Sequence, residues 1–409
     1  MARPYRPDPR FAPGASLFWP SEIAIRQYPP SLPKPHLVNV LSHLDPRYGG
    51  VSTSLPLFSR AIVEHTGWNT TLVAFVRRDE SIPVTPAYPL QTLPLGASRW
   101  VLPEAIRTPL EAILRSATIV QIHGIWQEHC AVTARLCRKY QIPYVVAAHG
   151  MLEPWALRQN RIMKQVYWHL IEKANLQQSC FLRSLTAAES DQYRTLGLTP
   201  PIMEVPNGVV IPEAQSPEPF LGLHPHLRGR RLLLFLGRLH PKKGVHLLCQ
   251  AWAKLARSFP DTVLVLAGPD SEGTRAALER LVQDSGIASQ TCFTGMLNAE
   301  MKWSALAAAY LFLLPSYSEG FSVAVLEALA SGLPTLLTRT CYFPQAAAHG
   351  CGWEIEPDQK QLEEALAASL SEPSARREVR CHAARSLIER NYTWPVIARQ
   401  FCHSVQSIS

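Results

Sequence analysis

Two carboxylates stand eight positions apart in the stretch LPSYSEGFSVAVLEALASGLP (314–334). Glu319 is followed by Gly320 and Phe321, and Glu327 is set among alanines and leucines. The first falls in a loop after the apolar run LFLLPS. The second lies in a helix predicted from about Ser322 to Ser331, stopped by Gly332 and Pro334. Carboxylates so placed accept hydrogen bonds from vicinal hydroxyls. The unpaired N–H groups of Phe321, Ser322 and Val323 at the helix start can meet a phosphate. Alone the pair is a weak signal, because a glutamate near a helix start also complements the helix dipole. A second constellation is FLGRLHPKKG (235–244), where Arg238 follows an apolar strand and Lys243 precedes Gly244 and a helix. Two cations beside a helix N-terminus suit an anion of diphosphate size. A third group is Gly49 and Gly50 in a strand-to-helix loop, with His123 (QIHGIW) and His149 (VVAAHG) each closing an apolar strand. Such a histidine either donates to a ligand hydroxyl or phosphate, or is packed against a backbone carbonyl.

These residues need a frame. From His36 onward, short apolar runs (HLVNVLSHL, NTTLVAFV, ATIVQIHGIW, IPYVVAAHG) alternate with helical spacing in LPLFSRAIVEHTG and EHCAVTARLCRKYQ. A second alternating series starts near 231, and the Pro- and Gly-rich segment 205–229 between them reads as a linker. The expected fold class is therefore α/β, two facing doubly wound Rossmann-like domains with ligands beyond the carboxyl ends of the strands. The expected boundaries are a proline-rich tail at 1–35, a first domain at 36–205 and a second at 206–390. The last helix, about 391–409, would pack back on the first domain, with Trp394 as a packing residue.

Bulk properties narrow the classes. The 409 residues are 47% apolar and 18% charged, with no 18-residue apolar run. No signal peptide is visible at the start, and nine cysteines without a C-x-x-C pair argue against disulfide frameworks and zinc sites. The expectation is a cytoplasmic protein, with the sequons at Asn69 and Asn391 as chance matches. Residues 1–205 carry 21 Lys and Arg against 14 Asp and Glu, so most of the net charge of +8 sits in the first half. That suits an anionic partner such as a phospholipid surface or a pyrophosphate-linked substrate. No basic run interleaved with aromatics suggests nucleic acid.

The ordered array GR…KKG (238–244), AGPD (267–270), FTG (293–295) and PSYSEGFSVAVLEALASGLP (315–334), with PNG at 206–208, closely resembles the retaining glycosyltransferases of family 4. The resemblance covers most of residues 36–409 and implies the GT-B fold. It implies a nucleotide-sugar donor, UDP- or GDP-linked, held by Arg238 and Lys243 at the diphosphate and by Glu327 at the ribose. Glu319 would lie near the transferred sugar, with Gly320, Phe321, Ser322 and Val323 at sugar and phosphate. Gly268, Thr294, Gly295, Met296 and Leu297 complete the implied donor side, the last four around the base. Glu319, His149, Arg238 and Lys243 would form the catalytic group, with no metal or other cofactor. Gly49, Gly50, His123, His149, Arg158 and Arg161 would face the acceptor. The segment 149–173 resembles a bacterial subgroup that builds cell-surface polysaccharides. Arg158, Arg161 and Lys164 there would form a basic face near a lipid pyrophosphate at the inner membrane surface. A small soluble or glycerolipid acceptor, or a non-catalytic nucleotide-sugar-binding partner, are the alternatives. Two departures from the family pattern stand out: Val210 where many relatives have an acid, and Ser322 where glycine is usual.

Overall fold

A computed structural model of the chain describes residues 34–45, 50–77, 88–94, 104–212 and 215–407. Gly49 and almost all of the proline-rich tail therefore lie outside the described residues. The first sheet contains β1 (His36–Leu41), β2 (Asn69–Val76), β3 (Leu90–Pro94), β4 (Ile119–His123), β5 (Tyr144–Ala147), β6 (Phe181–Ser184) and β7 (Ile202–Glu204). The second contains β8 (Arg231–Leu236), β9 (Thr262–Ala267), β10 (Thr291–Gly295), β11 (Leu311–Leu314), β12 (Thr335–Thr338) and β13 (Gly352–Ile355). Their orders are β3-β2-β1-β4-β5-β6-β7 and β10-β9-β8-β11-β12-β13, with every pairing parallel.

The strands read as they do because both faces of a parallel sheet are covered. LVNVL, TVLVLA and LFLL have no polar face to show, since helices pack above and below. Strand order reverses at β1/β4 and at β8/β11, so each sheet opens a crevice between those strand ends. The Arg238–Gly244 loop leaves β8 and the Pro315–Ser322 loop leaves β11. In the first sheet Gly50 opens the helix after β1, and His123 ends β4. The chemistry-bearing residues thus gather at the two switch points.

The helix Trp394–Gln406 buries Trp394, Ile397 and Phe401 in the core of the first sheet, against Leu37, Phe58 and Phe181. Gly208 permits this crossing, because a Cβ there would lie 2.7 Å from the Trp394 ring. Beside it the Val209 N–H donates to Tyr392 O at 2.8 Å, tying the linker to the start of the returning helix. Three local readings change. The helix after β1 starts at Gly50, so Val51–Ser54 are its first turn rather than loop. The last helix begins at Trp394 rather than at about 391, after a break at Tyr392–Thr393, and Pro395 falls in its first turn, where a missing N–H costs nothing. The linker contains a short helix, Glu218–Leu223, anchored by buried Phe220.

Candidate functional site

At the β8/β11 switch point, Lys243 Nζ lies 2.7 and 2.8 Å from the two carboxylate oxygens of Glu319. The Ser316 hydroxyl also donates to Glu319. Lys243 closes a short turn, Pro241–Lys243, capped by His240, whose Nδ1 accepts from the Lys242 N–H at 3.0 Å. Gly244 then turns left-handed (φ +68°) into the helix Val245–Leu255, and a Cβ there would sit 1.9 Å from Pro315 O. The two loops therefore touch through backbone at a glycine. Nearby, Gly268 (φ +150°) rests on Gly237, where a Cβ would come within 1.8 Å of its carbonyl oxygen. Arg238 is exposed at the same strand end and has no side-chain partner among the described residues. The result is one free guanidinium and one carboxylate-bound ammonium at a helix start.

Glu327 lies on the helix Val323–Ala330, one turn inside its N-terminus, and is nearly buried. Burial raises its pKa, opposed by the charge and hydrogen bond of Lys302. Lys302 was not foreseen, because a lone lysine in AEMKWSALAAAY looks like any solvated helix residue. Gly295 (φ +72°) accepts from the Gly268 N–H at 2.8 Å, and Met296 beyond it is 76% exposed. Thr294 Oγ1 donates to Gly295 O, and Leu297 packs partly buried on the core. Phe321 meets Phe343 edge-on, 6.4 Å between centroids.

Across the cleft, His123 and His149 form a stacked pair with Nδ1 of His123 2.9 Å from Nε2 of His149. His123 Nε2 lies 3.1 Å from Asn39 Oδ1. The partners assign the protons. Thr70 Oγ1 donates to Leu37 O, so it accepts from Asn39 Nδ2 at 3.2 Å, which leaves Asn39 Oδ1 to accept from His123 Nε2–H. Neutral His123 then accepts through Nδ1 from His149 Nε2–H. Only the buried Nδ1 of His149, which has no partner, is left with a lone pair to offer. Two expectations change accordingly. His123 has both nitrogens engaged inside the protein, and in this tautomer the one unpartnered nitrogen of the pair, His149 Nδ1, is an acceptor rather than a donor.

Burial and the nearby Arg183 charge press the His149 pKa down to about 3, and burial, His149 and Arg183 lower that of His123. Both rings stay neutral at physiological pH. An unfolded histidine titrates near 6.5. Below that pH the unfolded chain binds a proton that folded His149 refuses, so stability falls as pH drops from 6.5 towards 3. Against His149→Gln, the wild type should lose up to about 1.4 kcal/mol per pH unit across that range. Denaturant unfolding at pH 7.5, 6 and 5 measures this. Parallel curves for the two proteins would mean that His149 is solvated.

His149 also carries φ +53°, an uncommon left-handed conformation for a side-chain-bearing residue. Buried Glu189 holds that turn: its two oxygens accept from the N–H groups of Gly150 (2.7 Å) and Leu185 (2.8 Å). The signal for Glu189 was the capping-box spelling TAAE, since Thr186 Oγ1 accepts from the Glu189 N–H. Glu153 was likewise missed. Its Oε2 accepts from Ser318 Oγ at 2.8 Å across the cleft and lies 3.9 Å from Lys242 Nζ, which sits 4.6 Å above the Trp155 ring. Gly150 and Gly320 approach closely, a Cβ on the first falling 3.1 Å from Cα of the second. Gly50 faces Val323, 3.9 Å from its Cγ2 by the same measure. The cleft is thus bridged at the histidine turn and the Glu319 loop. Arg158 and Arg161 line a cavity with Trp126, Leu152 and Trp168.

Two family models match the chain: "Glycosyl transferases group 1" over residues 224–386 and "Glycosyl transferase 4-like domain" over residues 49–208. A glycogen synthase of Mycobacterium tuberculosis is 29% identical over 290 residues, 68% of this chain and 66% of that protein. A phosphatidyl-myo-inositol mannosyltransferase of Mycolicibacterium smegmatis is 28% identical over 211 residues, 51% of this chain and 52% of that protein. The chain therefore matches between about half and two-thirds of the length of these relatives. The crystal structure of Anabaena HepE in complex with UDP and glucose superposes with a TM-score of 0.72 at 16% identity, covering 91% of this chain and 99% of that one. With two parallel sheets meeting at their switch points and a family model matched to each, this chain belongs to the family 4 glycosyltransferases of GT-B fold.

Proposed function

We propose that the protein transfers a hexose-type sugar from a nucleoside-diphosphate sugar, UDP in preference to GDP, to a lipid-linked glycan acceptor, retaining the anomeric configuration. The observation that carries this reading is the pairing of Lys243 with Glu319 beside unpartnered Arg238 at the β8/β11 switch point. On this reading the diphosphate takes Arg238 and Lys243, Glu319 turns to the sugar hydroxyls, and Glu327 holds the ribose with Lys302 beside it. The bond from the anomeric carbon to the diphosphate breaks as the acceptor oxygen bonds on the same face. The acceptor proton passes to the departing diphosphate, whose charge the two cations stabilise. His149 Nδ1 accepts a hydroxyl hydrogen bond and fixes the sugar. Cleft closure across Glu153 and Ser318 keeps water out. No step calls on a metal.

The lipid part rests on the segment 154–173. Ile162 (80% exposed), Met163, Val166 and Leu170 (73%) form an exposed apolar stripe, flanked by exposed Arg158, Arg161 and Lys173. The single acid in that segment, Glu172, is buried. An apolar stripe with a cationic flank suits the interface of an anionic bilayer, as in assembly of a cell-surface polysaccharide at the inner membrane face. Among the described residues no helix is long and apolar enough to cross a membrane.

The test is thermal stabilisation by UDP-, GDP- and ADP-sugars, wild type against Arg238→Ala, with turnover assayed in EDTA and pelleting on phosphatidylglycerol vesicles. A shift with one nucleotide that is lost in the variant, EDTA-resistant turnover and pelleting are expected. Absence of any shift refutes the donor assignment. Activity abolished by EDTA refutes charge stabilisation by the cations alone, and full recovery in the supernatant refutes the lipid surface.

A further inference from the structure

Behind the histidine turn lies a cavity of about 470 Å³, within the range of small-molecule sites. Its lining divides by chemistry. Trp126, Leu152, Leu157, Trp168 and Leu196 are apolar or aromatic, while Arg158, Arg161 and Lys164 are cationic, His169 adds an imidazole and Gln165 an amide, and no acid lines it. Lys164 is already engaged, donating to Ala156 O at 2.6 Å and lying 5.6 Å from the Trp126 ring. Arg158, Arg161 and His169 have no side-chain partner among the described residues. Three unpartnered basic groups around an aromatic hollow are an arrangement that a folded monomer does not need for its own stability.

The surroundings are as specific. The apolar stripe Ile162, Met163, Val166 and Leu170 runs along the helical stretch that Arg161 opens, while Arg158 closes the short helix before it, so the chain facing the hollow also faces outward with hydrocarbon. Toward the cleft, Leu152 lines the cavity and the next residue, Glu153, reaches the Glu319 loop through Ser318. Trp126 Nε1 donates to Met151 O at 3.3 Å, pinning the cavity's floor to the back of the histidine turn.

We propose that this cavity is a binding site for an anionic amphiphile, with its phosphate groups on Arg158 and Arg161 and the first part of its apolar chain against Trp126, Leu157 and Trp168. The remainder of the chain leaves along Ile162, Val166 and Leu170. This deepens the acceptor reading above and rests on it. The site lies outside the diphosphate position of the donor, since Arg238 and Lys243 belong to the other domain. It places a lipid carrier one residue from the bridge between the domains.

The test uses farnesyl diphosphate as a soluble probe, with saturating UDP to occupy the donor cleft and tryptophan fluorescence as readout. Farnesyl diphosphate should bind, whereas inorganic pyrophosphate and farnesol should bind at least ten-fold more weakly. Arg158→Ala/Arg161→Ala, both exposed and chosen to leave the fold intact, should weaken the probe ten-fold or more with an unchanged melting temperature. Lys243→Ala should lose UDP binding and keep the probe. Equal binding of pyrophosphate or farnesol, or an undiminished affinity in the double variant, overturns the site. The donor assignment fails separately, if UDP binds Lys243→Ala as it binds the wild type.

Discussion

Lys243→Ala is expected to lower transfer from a nucleotide sugar by about 10²–10³-fold, the usual loss when one preorganised charge-stabilising group is removed. The effect should fall on kcat as well as on affinity for UDP, because charge on the diphosphate grows as it departs. The variant is informative in a second way. Lys243 donates to both oxygens of Glu319, whose side chain is only 8% exposed. Without Lys243 that carboxylate keeps Ser316 and little else, so about 1–3 kcal/mol of stability should go with it. UDP titration well below the melting temperature separates the two effects. Glu319→Gln in the same background should recover stability without recovering turnover, since the amide removes the stranded charge but restores no cation. Turnover within three-fold of wild type in Lys243→Ala would place the diphosphate elsewhere.

Gly244→Ala should be among the most damaging single-atom changes in the second domain. Residue 244 holds φ +68°, which costs a residue with a side chain about 1–2 kcal/mol. Its Cβ would also stand 1.9 Å from Pro315 O, a contact that forces the two loops apart at about 1–3 kcal/mol more. Gly286→Ala is the matched control, because it has the same hand (φ +69°) with nothing within 4 Å. Urea unfolding of both variants isolates the clash as the difference between them. Equal losses would mean that the approach of the loops is slack, and the Arg238–Gly244 loop would then not be locked to the Glu319 loop. Donor binding should fall in Gly244→Ala at temperatures where the domain is still folded.

The relation of these two loops shows where sequence reading succeeds. Arg238, Lys243 and Gly244 are local to one strand end, and Glu319 and Glu327 to another, so spacing and strand–loop–helix texture suffice to find them. Glycine stops and the apolar alternation did the same for the helix Val323–Ala330 and for most of the central strands. Strands β3, β6, β7 and β13 escaped because they are short and lie at a sheet edge or next to one, where alternation is weak. Lys302, Glu153 and Glu189 escaped for another reason. A charged residue spells the same whether it is solvated or buried against a partner, and only Glu189 carried a local capping signal.

The two α/β repeats, the basic turn ending at Gly244 and the carboxylates of the second domain could be read from the chain alone, because each depends on residues close along it. Tertiary structure alone decided which groups meet. It paired Lys243 with Glu319, 76 positions away, set His149 against His123, 26 positions away, and joined Glu153 to Ser318 across 165 positions. The proton arrangement that makes His149 an acceptor runs back through His123 and Asn39 to Thr70, on three strands that only sheet order brings side by side. Local conformation follows from local sterics and hydrogen bonding. Protonation, charge pairing and cavity shape follow from what burial excludes from water, and that is a property of the assembled sheets.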